Sequence, residues 1–178
     1  MKRIIATLAL LVAPLFALAG DATPDVLVKE VTNDVLAIVR HDKAIQAGDT
    51  RKAIDLVEAK VLPHFNFRRM TALAVGRDWR QASAEQQDQL TEAFKTMLVR
   101  TYSNALTQYR EQVIDFKPLR AQPDDTDVQV RTEVKQPGAK PVQIDYSLEK
   151  TAGGWKVYDV AVAGVSLVTN YRGSFAQE

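Results

Sequence analysis

Gly154-Trp155-Lys156-Val157-Tyr158-Asp159-Val160-Ala161-Val162, continued by Ala163-Gly164-Val165-Ser166-Leu167-Val168-Thr169-Asn170-Tyr171-Arg172, is the stretch whose reading decides the fold. A glycine turn opens it, an apolar strand follows, and Gly164 breaks the strand before a second apolar run. Strict alternation sends Trp155 and Val157 to one side and Tyr158, Val160 and Val162 to the other. A strand that is apolar on both faces has to be covered on both, so the rest of the chain must wrap it. The carboxylate of Asp159 interrupts the run.

The residues before this strand alternate as well. Val128, Val130, Thr132 and Val134 take turns with Gln129, Arg131, Glu133 and Lys135; after the Gln136-Pro137-Gly138 turn, Val142, Ile144, Tyr146 and Leu148 take turns with Gln143, Asp145, Ser147 and Glu149. This predicts an antiparallel hairpin with one wet and one apolar face, leading through Thr151-Ala152-Gly153-Gly154 into a third strand. Val113 to Leu119 predicts a fourth, and Pro118 puts it at an edge.

Everything before Val113 has helical period. Thr23-Pro24-Asp25 reads as a helix start, with Leu27, Val31, Val35, Ile38 and Val39 as its apolar stripe and Gly48 as its end. Asp49 or Thr50 starts the next helix, which Pro63 stops. Asn66 caps a third that Gly76 closes, and Ser83-Ala84-Glu85-Gln86 is a capping box. The long helix behind it carries Leu90, Phe94, Met97, Leu98, Tyr102, Leu106 and Tyr109 in a broad stripe. Helices first and strands afterwards predict an α+β fold, an antiparallel sheet wrapped by helices.

At the other end, Met1-Lys2-Arg3, the apolar run Ile4–Leu18 and the small residues before Gly20 read as a secretory signal peptide, residues 1–19, with a single domain over 20–178. That domain divides into a mainly helical 20–110, a sheet over 111–163 and a C-terminal segment 164–178. The signal predicts a periplasmic destination in a Gram-negative cell. Lys2 and Arg3 are two of 23 basic residues, so the remainder sets 21 basic against 22 acidic groups. A net charge of −1 does not suit a nucleic-acid partner. No cysteine is present, which excludes disulfides, thiol chemistry and a lipidated N-terminus.

Reaction machinery is sparse. No glycine-rich phosphate loop or HExxH helix occurs. Of the two histidines, His41 belongs to a polar helix end and His64 to a loop after Pro63; neither has a cluster of partners, so neither is expected to be a ligand or a base. Asp159 has two readings: a general base with a raised pKa, or a structural acid held by an arginine or by amides at a helix start. Arg77, Arg80 and Arg172 are its possible partners. Trp79, between Arg77 and Arg80, suits either a headgroup or partner contact or a core plug.

Two distant segments, taken together, resemble the MlaC family, the toluene-tolerance type of periplasmic phospholipid-binding protein. They are Gly154–Val160 with Gly164–Val168 and Asn170-Tyr171-Arg172, and Pro63-x-Phe65-Asn66-Phe67-x-x-Met70 with Gly76-Arg77-x-Trp79-Arg80. The resemblance implies a helical part on a small curved sheet of the nuclear-transport-factor-2-like kind, with an apolar lipid cavity between them. It implies no catalysis and no cofactor, bound phospholipid being cargo. As partners it implies an inner-membrane MCE-domain protein of an ABC transporter and an outer-membrane lipoprotein–porin complex, in a pathway that keeps outer-membrane lipid asymmetric. A monomer is expected, and the family pattern runs on in a helical tail beyond the point where this sequence ends. The lipid lining is expected from Phe67, Met70, Trp79, Phe94, Leu98, Tyr102, Val130, Ile144, Tyr146, Val157, Val160, Val165 and Leu167. Asp159, Arg77 and Arg80 are expected to be structural. The rival reading is a small isomerase or hydrolase of the same fold using Asp159.

Overall fold

Proline at the first helical position and Asp25 in the first turn start helix α1, Pro24–His41, although the Thr23 hydroxyl makes no capping bond. This computed structural model describes residues 22–175, so the expected signal peptide and the last three residues lie outside the described residues. α1 ends at His41, before the Gly48 that the sequence suggested as its end. The Asp42 carboxylate accepts from the amides of Ala44 at 2.9 Å and Ile45 at 3.1 Å, which starts a new helix α2, Lys43–Gln46. Gly48 therefore ends the second element, not the first.

Asp49 caps α3, Thr50–Lys60, through the Lys52 amide. A 3-10 turn, Leu62–His64, leads to Asn66, which caps α4, Phe67–Val75, through the Arg69 amide at 3.0 Å. Gly76 closes α4 at φ 73°, and a 3-10 turn Gly76–Arg80 follows. Both halves of the Ser83/Gln86 capping box form at the start of α5, Ala84–Tyr102. The stripe continued to Tyr109 in the sequence, but the helix stops at Tyr102; Leu106 lies in a separate turn of helix, α6, Asn104–Thr107, and Tyr109 follows it.

Five antiparallel strands lie in chain order: β1 Val113–Phe116, β2 Asp127–Lys135, β3 Val142–Thr151, β4 Gly154–Val162 and β5 Val165–Ser166. β1 is an edge strand, with Pro118 just past its end. In the β2–β3 hairpin Val128 faces Leu148 and Val130 faces Tyr146, so the alternating apolar sets share one face. Between β3 and β4 the register jumps. Leu148 pairs with Val157 but Ser147 pairs with Asp159, which leaves Tyr158 as an extra residue. The bulge overturns the alternation read from sequence, because Val160 joins Val157 and Trp155 in one cluster while Tyr158 goes to another.

Ala163 at φ 51° and Gly164 at φ 82° form the tight turn into β5. The last segment is a helix, α7, Leu167–Phe175. β4 has its outer edge covered in two pieces, by β5 at one end and by a bridge at the other. There Phe65 pairs with Val157 and the Asn66 amide donates to the Val157 carbonyl at 2.8 Å. Three apolar clusters result. Val35, Leu36, Val39, Ile45, Leu56 and Tyr109 join α1 to the other early helices. Val28 joins Val128, Val130, Leu148 and Val157 on the sheet, and Met70, Ala74, Phe94, Leu98 and Val168 join α4, α5 and α7.

Candidate functional site: an apolar cleft beneath α1

Helix α1 places apolar residues in pairs one turn apart: Leu27 and Val28, then Val31 with Thr32, then Val35 and Leu36. Such spacing makes a broad stripe. Between that stripe and the apolar face of the sheet is a cleft of about 220 Å³. The sheet contributes Ile114 from β1, Tyr146 from β3 and Val157 from β4; Val61, His64, Phe65 and Leu106 complete the wall. His64 and the Tyr146 phenol are the ionisable groups of the lining. Burial pushes the Tyr146 phenol above its ordinary value, against a smaller opposing effect of its hydrogen bond with Thr132. At His64, burial first and then the charge of Lys156 push the imidazole pKa below its ordinary value.

The cleft wall is held from outside by a clamp on Arg69. Its guanidinium lies 3.5 Å from the Tyr158 ring centroid and donates to Glu149 at 2.6 Å and Asp127 at 2.9 Å. Asn66 donates to the other oxygen of Glu149 at 2.7 Å, so the α4 start is tied to one end of the β2–β3 pair, where Asp127 and Glu149 face each other, close to the β3–β4 bulge. The bulged Tyr158 is thereby turned away from the cleft and under a cation.

The expected lining residues fall into separate places. Tyr146 and Val157 reach the cleft. Val130 and Val160 pack with the same sheet cluster behind them, and Ile144 lies further along that face, opposite Thr132 and Val162. Met70, Phe94 and Leu98 are buried in the α4–α5–α7 cluster with Phe67 at its margin, stacked on Phe65 at 5.6 Å. They fill solid core because α7, which the sequence showed only as an apolar run, covers them. Leu167 opens α7, and Val165, on β5, is 58% exposed. Tyr102 is exposed, at the end of α5. Trp79 lies in the 3-10 turn under the Arg68 guanidinium, 5.4 Å from the ring centroid.

Asp159 accepts from Ser166 Oγ at 2.6 Å, from the Val160 amide at 2.8 Å and from the Val168 amide at 3.2 Å. It therefore ties the bulge to the first turn of α7. Among the described residues neither Arg77 nor Arg80 forms an ion pair with it, and Arg172 lies instead over Gly76, 3.2 Å from where a Cβ would stand. Sequence reasoning passed over the α1 stripe as cleft lining, and it weighed His64 only as a ligand or base, not as part of a wall. The first was visible as the doubled period of α1; the second had no signal, since its neighbours in space come from α1 and β4.

Fold and cleft together define an α+β ligand-holding protein with a greasy wall and, among the residues that line it, no nucleophile–base pair. Among the described residues no cluster of metal-ligating side chains occurs, and no helix is long and apolar enough to cross a membrane. The family model for the MlaC protein matches residues 29–178, and the chain belongs to the MlaC family. The reading as an isomerase or hydrolase falls with that assignment. The chain is similar to the intermembrane phospholipid transport system binding protein MlaC of Haemophilus influenzae, at 24% identity over 84% of this chain and 71% of the relative. It is also similar to the toluene tolerance protein ttg2D of Pseudomonas putida, at 28% identity over 92% and 75%. Among solved structures, the phospholipid-binding protein of Ralstonia solanacearum in complex with a phospholipid superposes with a TM-score of 0.82 at 43% identity, covering 88% of this chain and 87% of that one.

Proposed function

We propose that this protein is a periplasmic phospholipid carrier. It shuttles lipid between an outer-membrane lipoprotein–porin complex and an inner-membrane MCE-domain transporter, works as a monomer, and helps keep phospholipid out of the outer leaflet. The observation that carries the reading is the cleft itself: a wall of valine, leucine and aromatic side chains, in a chain 43% identical to one that binds a phospholipid. Exposing acyl chains to water costs about 0.8 kcal/mol per methylene, so two chains of about 16 carbons cost on the order of 25 kcal/mol unless they are buried. A carrier needs a non-directional apolar wall for that purpose, and chemistry at the wall would serve nothing.

The cleft of about 220 Å³ is smaller than the roughly 300–1,000 Å³ of ordinary small-molecule sites, and a two-chain lipid is larger still. On this reading the cleft widens around a lipid, by α1 moving away from the sheet. Leu27, Val28, Val31, Thr32, Val35 and Leu36 of α1 face the cleft, while the end of its C-terminal half is anchored by Arg40 donating to Tyr109 at 2.6 Å and by Gln46 donating to the Val39 and Arg40 carbonyls. Organic extraction and mass spectrometry of protein purified from cells tests the reading. Phospholipid is expected in the extract, and protein that is always empty and cannot take lipid from vesicles would overturn it.

A further inference from the structure

One polar group stands in the cleft wall without an evident structural job. His64 sits on the 3-10 turn that Pro63 stiffens, and among the described residues its ring makes no hydrogen bond. A half-buried imidazole without a partner is a cost unless something outside the protein uses it. Beside it, Lys156 of β4 donates from Nζ to the Pro63 carbonyl at 2.6 Å, which fixes the ammonium next to the turn. That bond uses one of three ammonium protons, and among the described residues Lys156 has no carboxylate partner.

The surroundings leave this pair uncompensated. From α1 the lining offers the neutral Thr32 as its polar group, with Lys29 and Glu30 off the stripe. From the end of α3 it offers Val61, and from the bridge to β4, Phe65. On β3 the residue paired with Lys156 is Glu149, but its two oxygens are taken by Arg69 and Asn66. Lys156 lies outside the cleft lining, but its ammonium is held beside His64, at the one place where the apolar wall carries an imidazole, and both groups keep free donors. This matches a lipid in outline: chains on the wall, one negative charge where the wall ends.

We propose that His64 and Lys156 form the phosphate subsite of the cleft, holding the phosphodiester of a phospholipid headgroup while its chains lie between α1 and the sheet. The proposal rests on the carrier reading. Lys156 supplies a permanent charge beside the turn and His64 a conditional one: the lipid phosphate favours the imidazolium, and proton uptake tightens the grip. The depressed pKa of the unliganded imidazole, set by burial and by Lys156, leaves room for such a rise when an anion arrives between the two.

The test compares retention of phosphatidylglycerol and of uncharged diacylglycerol by the delipidated, reloaded full chain, as wild type and as H64Q, K156A and K156R. K156A, which lacks the charge-assisted hydrogen bond, should show phosphatidylglycerol retention weakened about tenfold and diacylglycerol retention unchanged, and K156R should largely restore the former. Lowering the pH from about 8 to about 6 should strengthen phosphatidylglycerol retention in wild type and not in H64Q. Equal retention of phosphatidylglycerol by all four proteins overturns the subsite and leaves the carrier reading standing. Wild type that holds neither lipid overturns both. Titration of delipidated protein with inorganic phosphate, read at the His64 ring protons by NMR, separates the sources. A response there with unaltered lipid retention in K156A would mark a free-anion site and overturn the headgroup assignment.

Discussion

Asp159 accepts hydrogen bonds from its own neighbour's amide, from the Val168 amide and from Ser166, and so fixes the direction in which α7 leaves the sheet. Asp159→Ala should lower the unfolding free energy by about 1–3 kcal/mol in urea denaturation, because the Val168 amide at the helix start loses its acceptor. Four residues on, Ala163 carries a positive φ that suits glycine. Ala163→Gly should raise stability by about 1 kcal/mol, measured the same way, since the left-handed conformation costs a residue with a Cβ about that much. His64 predicts a pH dependence. Its folded pKa is lowered, so the unfolded chain binds a proton first as pH falls. The stability it contributes is complete above about pH 6.5 and drains away as pH drops through the folded value. The urea midpoint of lipid-free protein should thus fall from about pH 7 to about pH 5 by less in H64Q than in wild type.

At the level of elements, β2 and β3 were fully readable: their alternation named the buried face, and their register pairs those faces across the hairpin. Local chemistry also survived folding, as at the Ser83/Gln86 box and the Asn66 cap. What escaped the sequence depended on distant partners. A bulge such as that at Tyr158 is a mismatch between two strands, and no property of β4 alone shows it. Similarly, the Phe94 stripe on α5 looked fit to line a cavity until α7 was seen to cover it. Lining from α1 is the larger consequence. Backbone amides of Leu27 to Val35 should exchange more slowly in lipid-loaded protein than in stripped protein, with little change at Val39, which belongs to the anchored half. Tyr146→Glu should cut lipid per protein, by mass spectrometry, much more than it cuts expression; equal losses would make Tyr146 ordinary core.

Seen whole, the molecule sets a permanent core and a variable space on either side of one strand. Met70, Phe94, Leu98 and Val168 fill the first, and the cleft under α1 is the second. A hollow wall is vulnerable to sliding, because a strand that creeps along its neighbour can close the gap beneath it. Ordinary antiparallel pairs resist this only through their side-chain pattern, and a slide of two residues restores that pattern. β4 cannot use that escape. The unpaired Tyr158 is keyed into one place by the Arg69 guanidinium above it, so any slide of either strand would unseat it. It acts as a dowel through the sheet: the floor of the cleft keeps its shape whether or not anything lies between it and α1.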